Sequence, residues 1–320
     1  MKSPLLSLPG AVPAEGVDEG VAAHYGDLFR EQRALADGTG FVDLSHRGVV
    51  AVTGEDRLSW LHLLLTQHVS DLPAGQATEA LILSANGHVE HALYLVDDGS
   101  TTWAHVEPGT QEALIAYLES MKFFYRVEVT DRTGEFAVVH LPAGSIAAAP
   151  EGAVVRETSY GRDLFLPRVD LEAFDGAGPA VGLLAYEALR VEQHRPRLGF
   201  ETDHRTIPHE LGWIGSAVHL QKGCYRGQET VARVQNLGKP PRRLVFLHLD
   251  GSEVHLPPHG AELRLADDGP EGRKIGFVTT SVRHHELGPI ALGLVKRNVP
   301  LDARLVADTT AAAQEVVVEP

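Results

Sequence analysis

The fold is decided at residues 240–249, PPRRLVFLHL, where the pattern of the sequence changes. Beyond this stretch, short apolar runs are split by Gly, Pro and Asp clusters, a pattern typical of strands joined by turns. We therefore expect an all-β domain, a small barrel or sandwich, over residues 241–320. The β-type runs are Leu244–Leu249, Ala261–Leu265, Ile275–Thr280, Ile290–Val295 and Arg304–Val306.

Before this boundary, helical and strand patterns are mixed without strict alternation. Asn86-Gly87 lies between two apolar runs and predicts a β-hairpin, because both turn residues tolerate a positive φ. Together these patterns predict an α+β body followed by the all-β domain. Helices are expected over Val17–Asp37, from Asp56, before Met121 and over Ala180–Gln193, and strands over Gly48–Thr53, Thr101–Val106, Phe124–Thr130 and Glu135–Leu141.

Composition and charge exclude several classes of protein. The 320 residues include 28 Lys+Arg against 43 Asp+Glu, a formal net charge of −15, which argues against broad nucleic-acid binding. The apolar stretches fall far short of the ~20 residues that span a bilayer, so no membrane segment is expected. Prolines interrupt the N-terminal apolar run, which does not fit a secretory signal. With Cys224 as the one cysteine, no internal disulfide can form, and we expect a cytoplasmic protein.

One segment runs against the overall charge. Residues 222–243 carry six cations and one acid, Glu229, a local balance of +5. Such a segment is either a solvated face or an attractor for a polyanionic ligand, and the sequence leaves both interpretations open. The cations are Lys222, Arg226, Arg233, Lys239, Arg242 and Arg243.

The octapeptide Lys222–Glu229, KGCYRGQE, is the sharpest local feature. Its two glycines loosen the backbone around Cys224, and positive charge on Lys222 and Arg226 would favour the thiolate. A reactive cysteine is therefore predicted, although a lone cysteine is also commonly a small buried hydrophobe. Phosphate-loop, dinucleotide-binding and zinc-protease motifs are absent, and no metal site is predicted.

This octapeptide, followed by Thr230–Arg233, resembles the KGCYxGQE signature of the YgfZ family, folate-binding relatives of the glycine-cleavage T-protein (aminomethyltransferase). The resemblance covers nearly the whole chain. It implies a three-lobed ring: two interleaved α+β folate-binding lobes within 1–240, one of them near 48–140, and a C-terminal antiparallel β-barrel over 241–320. Further similar segments are His24–Gly26, Gly40–His46, Asp56–Val69, the hairpin at Gly87, Ala188–Glu192, Leu198–Glu201, Pro208 and Gly276–Ser281.

The resemblance also implies roles for individual residues in binding tetrahydrofolate. Asp163 stands where T-proteins hold the pterin with an acid, and Arg190 would neutralise a folate carboxylate or the pterin acid. The alternative for Arg190 is a buried partner for Glu187 or Glu192 on the same helix. T-proteins carry an Asp-Asp pair after the hairpin, whereas this chain has Glu90-His91. Further implied cofactor contacts are Glu90, Tyr225, Gln228 and Glu229, and the implied working thiol is Cys224, assisted by Lys222 and Arg226.

Three functions follow as hypotheses. The first is a cytoplasmic, monomeric YgfZ-like protein that binds tetrahydrofolate, including polyglutamylated forms, and supports assembly or repair of iron–sulfur enzymes such as those that modify tRNA. If it is an enzyme, it is a folate-dependent one-carbon transferase in which Cys224 takes part. The second is a folate-dependent aminomethyltransferase of glycine cleavage, and the third a tRNA-binding module, which the net charge of −15 disfavours.

Overall fold

The computed structural model describes residues 2–252, 255–269 and 272–319. Contacts divide these residues into two compact units. Unit 1 comprises the residues up to Ile82, His91–Tyr186 and Gln221–Tyr225, and unit 2 comprises Leu83–Glu90, Glu187–Leu220 and the residues from Arg226 onward. The chain therefore passes from unit 1 to unit 2 within the octapeptide.

The described helices are α1 (Leu28–Ala36), α2 (Arg57–Leu64), α3 (Gln111–Ser120), α4 (Leu183–Glu192) and α5 (Gln228–Leu237). The described strands are β1 (Val12–Pro13), β2 (Ala22–His24), β3 (Phe41–Asp43), β4 (Gly48–Thr53), β5 (Ala77–Leu83), β6 (Val89–Asp97), β7 (Thr101–Val106), β8 (Glu128–Asp131), β9 (Phe136–Pro142), β10 (Val154–Thr158), β11 (Gly161–Pro167), β12 (Ala180–Val181), β13 (Arg242–Leu249), β14 (Glu262–Leu265), β15 (Gly276–His284), β16 (Gly288–Lys296), β17 (Arg304–Ala307) and β18 (Thr310–Val316). Among these helices, none combines the length and the apolar character needed to cross a membrane.

Two five-stranded sheets organise the α+β part. One has the order β5-β6-β7-β4-β8, and the other has the order β10-β11-β9-β3-β12, in which β12 pairs with β3 in parallel. The apolar stripe of α2 packs on the first sheet, where Trp60, Leu61 and Leu64 join buried Val50 and Leu95 in one core. Burying such side chains stabilises the fold by roughly 1.5–3 kcal/mol each.

The C-terminal strands close into a six-stranded antiparallel barrel within unit 2, in the order β13-β16-β15-β14-β17-β18. Inward-facing Val245, Leu247, Leu263 and Leu305 form its core, and closure leaves no unpaired edge to aggregate. The α+β class with a C-terminal antiparallel barrel is therefore confirmed. Unit 2 contains more than the barrel, and the domain division at residue 240 stays a prediction.

The structure corrects several expectations about single elements. The helix predicted over 17–37 is wrong in its first half: β2 precedes α1, which begins at Leu28 after the Asp27 side chain accepts a hydrogen bond from Arg30 N. Gly20 and Gly26 break the helical path with φ of +111° and +120°. The sequence analysis also missed α5 and β18, and the strand expected over Phe124–Thr130 begins only at Glu128.

Candidate functional site

Strand register in unit 1 brings charged side chains together around Asp163. Asp163 on β11 lies directly opposite His140 on β9 and Arg156 on β10. Side chains of directly opposed residues share a face of the sheet and come within contact distance. His105 on β7 reaches the same carboxylate. We call Asp163, His105, His140, Arg156, Tyr160 and Glu79 the Asp163 cluster.

The Asp163 carboxylate is buried and both of its oxygens accept hydrogen bonds. Oδ1 lies 2.8 Å from His140 Nδ1, and Oδ2 lies 2.8 Å from Arg156 Nη1 and 3.1 Å from His105 Nε2. Burial opposes ionisation, but the hydrogen bonds from His105 and His140 outweigh it and hold the pKa of Asp163 well below its usual range. Asp163 is therefore an anion at neutral pH, with no oxygen left open.

His105 is neutral in this setting. Burial lowers its pKa to about 4, although Asp163 acts in the opposite direction. Its Nε2 faces the carboxylate, and its Nδ1 lies 3.3 Å from Arg47 Nη1, which can only donate. The neutral ring therefore carries its proton on Nε2 and donates it to Asp163.

The cluster reaches solvent at Glu79 and Tyr160. The Tyr160 hydroxyl donates to Glu79 Oε1 at 3.1 Å, and Arg156 Nη2 lies 3.4 Å from the same oxygen. The Glu79 side chain is 25% exposed, against 3% for Asp163. The half-buried ring of Tyr94 adjoins the cluster, stacked on His105 at 4.8 Å with the Arg156 guanidinium 5.3 Å from its centroid. The partly exposed Glu79 carboxylate and the rings of Tyr160 and Tyr94 thus lie in one cluster of unit 1.

Arg190 belongs to a different network in unit 2. We call Arg190, Arg197, Glu187, Glu201, Thr279 and Thr280 the Arg190 cluster. The Arg190 guanidinium donates to Glu187 Oε2, to Glu201 Oε2 and to the Thr280 hydroxyl, at 2.7–3.0 Å. The alternative stated for Arg190, a buried partner of Glu187, therefore has direct geometric support, and its folate contact stays a prediction.

The first half of the octapeptide lies in unit 1, where Lys222 closes α2. Its ammonium group is buried and donates to the carbonyls of His62 and Leu65 at the C-terminal end of that helix. A cation there satisfies unpaired carbonyls and complements the helix dipole. Burial lowers the pKa of Lys222 to about 8 and raises that of buried Tyr225 to about 12. Cys224 is an exposed free thiol, so the buried-hydrophobe alternative is wrong, while its activation by Lys222 stays a prediction.

The second half of the octapeptide lies in unit 2 and packs on the hairpin tip. Gly227 precedes α5 with φ +82°, and a Cβ there would come within 2.5 Å of Ser84 O and 2.9 Å of Gly87 Cα. Glycine is therefore required by both the conformation and the close approach. The same packing lets Arg226 Nη1 pair with Glu90 Oε2 at 2.9 Å. Gln228 and Glu229 open α5, and Glu229 is exposed in its first turn.

Several cations of the basic segment are paired or buried, and whether the segment attracts a polyanionic ligand stays a prediction. Arg242 pairs with Asp203 and Glu210 inside unit 2. Arg243 is completely buried, where it donates to Val299 O and Gln314 Oε1. Lys222 is buried and Arg226 is paired to Glu90, so two exposed cations of the segment form no ion pair with a carboxylate of the described residues. These are Arg233 and Lys239.

Sequence reasoning found Asp163 but missed the residues around it. His105 and His140 lie on strands between apolar, buried neighbours, whereas Glu79 and Arg156 have polar neighbours in Thr78 and Glu157. A charged or imidazole side chain within such a strand needs a buried partner, and this was the available signal. Among the described residues, no group of three or more His, Cys, Asp or Glu side chains could hold a metal ion.

Comparison with known proteins gives matches along the chain. Residues 22–148 match the family model described as the GCVT N-terminal domain. An aminomethyltransferase of Herpetosiphon aurantiacus is 28% identical, over 92% of this chain and 90% of its own length. Another, of Rubrobacter xylanophilus, is 29% identical over 84% of this chain and 79% of its own. An Arabidopsis thaliana protein described as a putative chloroplastic transferase is 25% identical, over 93% and 74%.

A solved structure shares the fold. The crystal structure of the glycine cleavage system aminomethyltransferase T from Bartonella henselae superposes with a TM-score of 0.78, covering 99% of this chain and 95% of its own. At 20% identity this likeness concerns the fold alone. This chain is therefore similar to the GCVT N-terminal domain over residues 22–148 and to aminomethyltransferases over most of its length.

Proposed function

We propose that this protein binds tetrahydrofolate and acts on the one-carbon unit that folate carries. The Asp163 cluster is the observation that carries the proposal. A reduced pterin presents ring N–H and amino donors, and the cluster offers the Glu79 carboxylate, with one oxygen open, beside the ring of Tyr160. The donor and acceptor chemistry of these residues therefore fits the cofactor.

The chain's own residues would bind and orient this ligand. Ionised Asp163 fixes Arg156, and Arg156 in turn contacts Glu79 at the exposed edge. Because the buried charges are paired before any ligand arrives, the site would need little rearrangement on binding. The cofactor supplies the nitrogen that accepts the one-carbon unit, and the protein supplies position and charge.

Aminomethyl transfer is the reaction that the comparisons favour. The relatives named above as aminomethyltransferases span most of this chain. The departure from their acid pair at Glu90-His91 leaves Glu90 as the acid to test. The test is tetrahydrofolate-dependent release of ammonia from an aminomethyl-loaded lipoyl carrier protein. Turnover that Glu90→Gln abolishes would support this reaction, and absence of turnover with a protein that binds tetrahydrofolate would reject it.

A YgfZ-like role in iron–sulfur maintenance is the second candidate, and one observation favours it. The octapeptide presents Cys224 as an exposed thiol, for which aminomethyl transfer has no use. Client enzymes would include iron–sulfur enzymes that modify tRNA. In a deletion strain, rescue of tRNA methylthiolation by the wild-type gene but not by Cys224→Ala would support this role; equal rescue by both would remove the thiol from it.

The remaining expectations about partners also stay predictions. They are a monomeric state, a cytoplasmic location and affinity for polyglutamylated folate. For a polyglutamate tail, Arg233 and Lys239 replace Arg242 and Arg243 as the cations to test, because only the first two are exposed. Direct tRNA binding through residues 222–243 loses support for the same reason.

A further inference from the structure

We propose that Glu79, and not Asp163, is the carboxylate that accepts the N–H donors of the pterin edge. This inference rests on the proposed binding of tetrahydrofolate. It changes the role of Asp163 from ligand contact to positioning residue. It also assigns recognition of the pterin to a residue on β5, a strand for which the sequence predicted only a place in a hairpin.

Asp163 has no acceptor capacity directed outward. Its two oxygens take bonds from His140, His105 and Arg156, and its side chain is 3% exposed. To accept from a ligand it would have to give up one of these buried partners. Breaking a buried charged pair leaves the other charge uncompensated, which is strongly unfavourable.

Glu79 has the opposite arrangement. Its Oε1 takes the bonds from Tyr160 and Arg156, while its Oε2 accepts no bond from the residues that the structure describes. The side chain is a quarter exposed, so this oxygen can meet a ligand. The Glu79 carboxylate therefore has one oxygen, Oε1, that is held by Tyr160 and Arg156, and one oxygen, Oε2, that is open.

The fixed oxygen orients the open one. Arg156 and Tyr160 pin the carboxylate, and Asp163 pins Arg156, so the direction of Oε2 is set by two layers of partners. A carboxylate oxygen whose direction is fixed in this way forms short, strong hydrogen bonds with N–H donors. The amino group and the adjacent ring N–H of a 2-amino-4-oxopyrimidine are donors of this kind. Glu79 would thus select ligands that carry that edge.

A binding cycle tests this assignment. Tetrahydrofolate and a tetrahydrofolate analogue with a 2-methyl in place of the 2-amino group would be titrated by calorimetry into the wild type and Glu79→Gln. In the variant, Arg156 and Tyr160 hold the amide oxygen, so its NH₂ group faces the ligand's donors. We expect about tenfold weaker tetrahydrofolate binding and loss of the preference over the analogue. The matched control is Glu157→Gln, an exposed carboxylate on β10, which should behave as wild type.

The outcomes separate this inference from the proposed function. If the wild type binds tetrahydrofolate and Glu79→Gln keeps both affinity and preference, the assignment of Glu79 is wrong while the proposed function stands. If the wild type does not bind tetrahydrofolate, both the assignment of Glu79 and the proposed function are wrong. Tyr160→Phe is a second test, because it keeps the ring and removes the hydroxyl that donates to Glu79 Oε1. We expect its affinity for tetrahydrofolate to fall a few-fold. An unchanged affinity would count against the orienting role of Tyr160.

Discussion

The Asp163 cluster in unit 1 and the Arg190 cluster in unit 2 contain similar groups but differ at their edges. In both, arginine guanidinium groups meet carboxylates that are almost entirely buried. In the Arg190 cluster, Glu187 and Glu201 have bonds on all four carboxylate oxygens. In the Asp163 cluster, Glu79 leaves one oxygen open at the surface.

Under the proposed function, this difference separates a structural network from a binding site. Both clusters must pair their charges, because an uncompensated buried charge would be too costly. Only the Asp163 cluster, in which Glu79 Oε2 is open, can accept a hydrogen bond from a ligand without first losing one of its own bonds. The resemblance assigned folate contacts to both Asp163 and Arg190, and the hydrogen bonds now predict different roles for the two clusters.

Removing Arg190 should give the largest effect on stability. Arg190→Met leaves Glu187 and Glu201 without their main partner, and we expect a loss of about 3–5 kcal/mol in the free energy of unfolding. The folded variant should keep the wild-type affinity for tetrahydrofolate. Urea unfolding and calorimetric titration measure the two quantities. A folate affinity that falls more in Arg190→Met than in Asp163→Asn would invert the comparison between the clusters.

Acid should weaken the Asp163 cluster through His105. The folded pKa is about 4 and the unfolded value about 6.5, so between these values the unfolded state binds a proton that the folded state does not. The stabilisation is complete above pH 6.5 and is lost as pH falls to 4, a change of about 3 kcal/mol. His105→Gln should flatten the stability curve in that window. Thr280→Val, from the Arg190 cluster, is the control and should keep the wild-type slope.

Removing one hydroxyl group from each cluster compares the two with a smaller expected loss of stability. Thr280→Val removes the hydroxyl that bonds Glu201 and Arg190, and Tyr160→Phe removes the one that bonds Glu79 and Arg156. Each variant should therefore lose about 1–2 kcal/mol of stability. Only Tyr160→Phe should weaken tetrahydrofolate binding. Equal effects of the two variants on affinity would argue that stability, and not local geometry, controls binding.

The Arg226–Glu90 pair shows what the same chemistry contributes without burial. Both side chains are about 40% exposed, at 41% and 38%. We expect Arg226→Ala to change the free energy of unfolding by less than about 1 kcal/mol, because water screens exposed pairs. Chemical denaturation checks this. A loss as large as that of Arg190→Met would mean that the hairpin tip depends on this pair.

The sequence predicted elements well where a local pattern was sufficient. The strands Gly48–Thr53 and Thr101–Val106 have the bounds expected, since each is an uninterrupted β-type run between turns. The barrel followed from spaced apolar runs, but β18 was missed because its alanines carry little strand preference. The helix α5 was missed because its first residues were interpreted as part of the octapeptide motif and not as a helical pattern.

The site was predictable only in part, because it depends on pairing between distant strands. Asp163 could be named from a resemblance, but its contact with Arg156 depends on the register of β10 and β11, and its contact with His105 joins residues 58 positions apart. The same limit applied to the basic segment. Arg242 and Arg243 counted as surface charge in the sequence, although the fold pairs one and buries the other.

Hydrogen–deuterium exchange with and without tetrahydrofolate tests the central claim most directly, because it locates binding without assuming a reaction. We predict slower exchange in β5, β10 and β11, the strands that carry Glu79, Arg156 and Asp163, and no change in residues 187–201 around Arg190. Protection confined to residues 187–201, or no protection anywhere at saturating tetrahydrofolate, would contradict the assignment of the folate site to the Asp163 cluster.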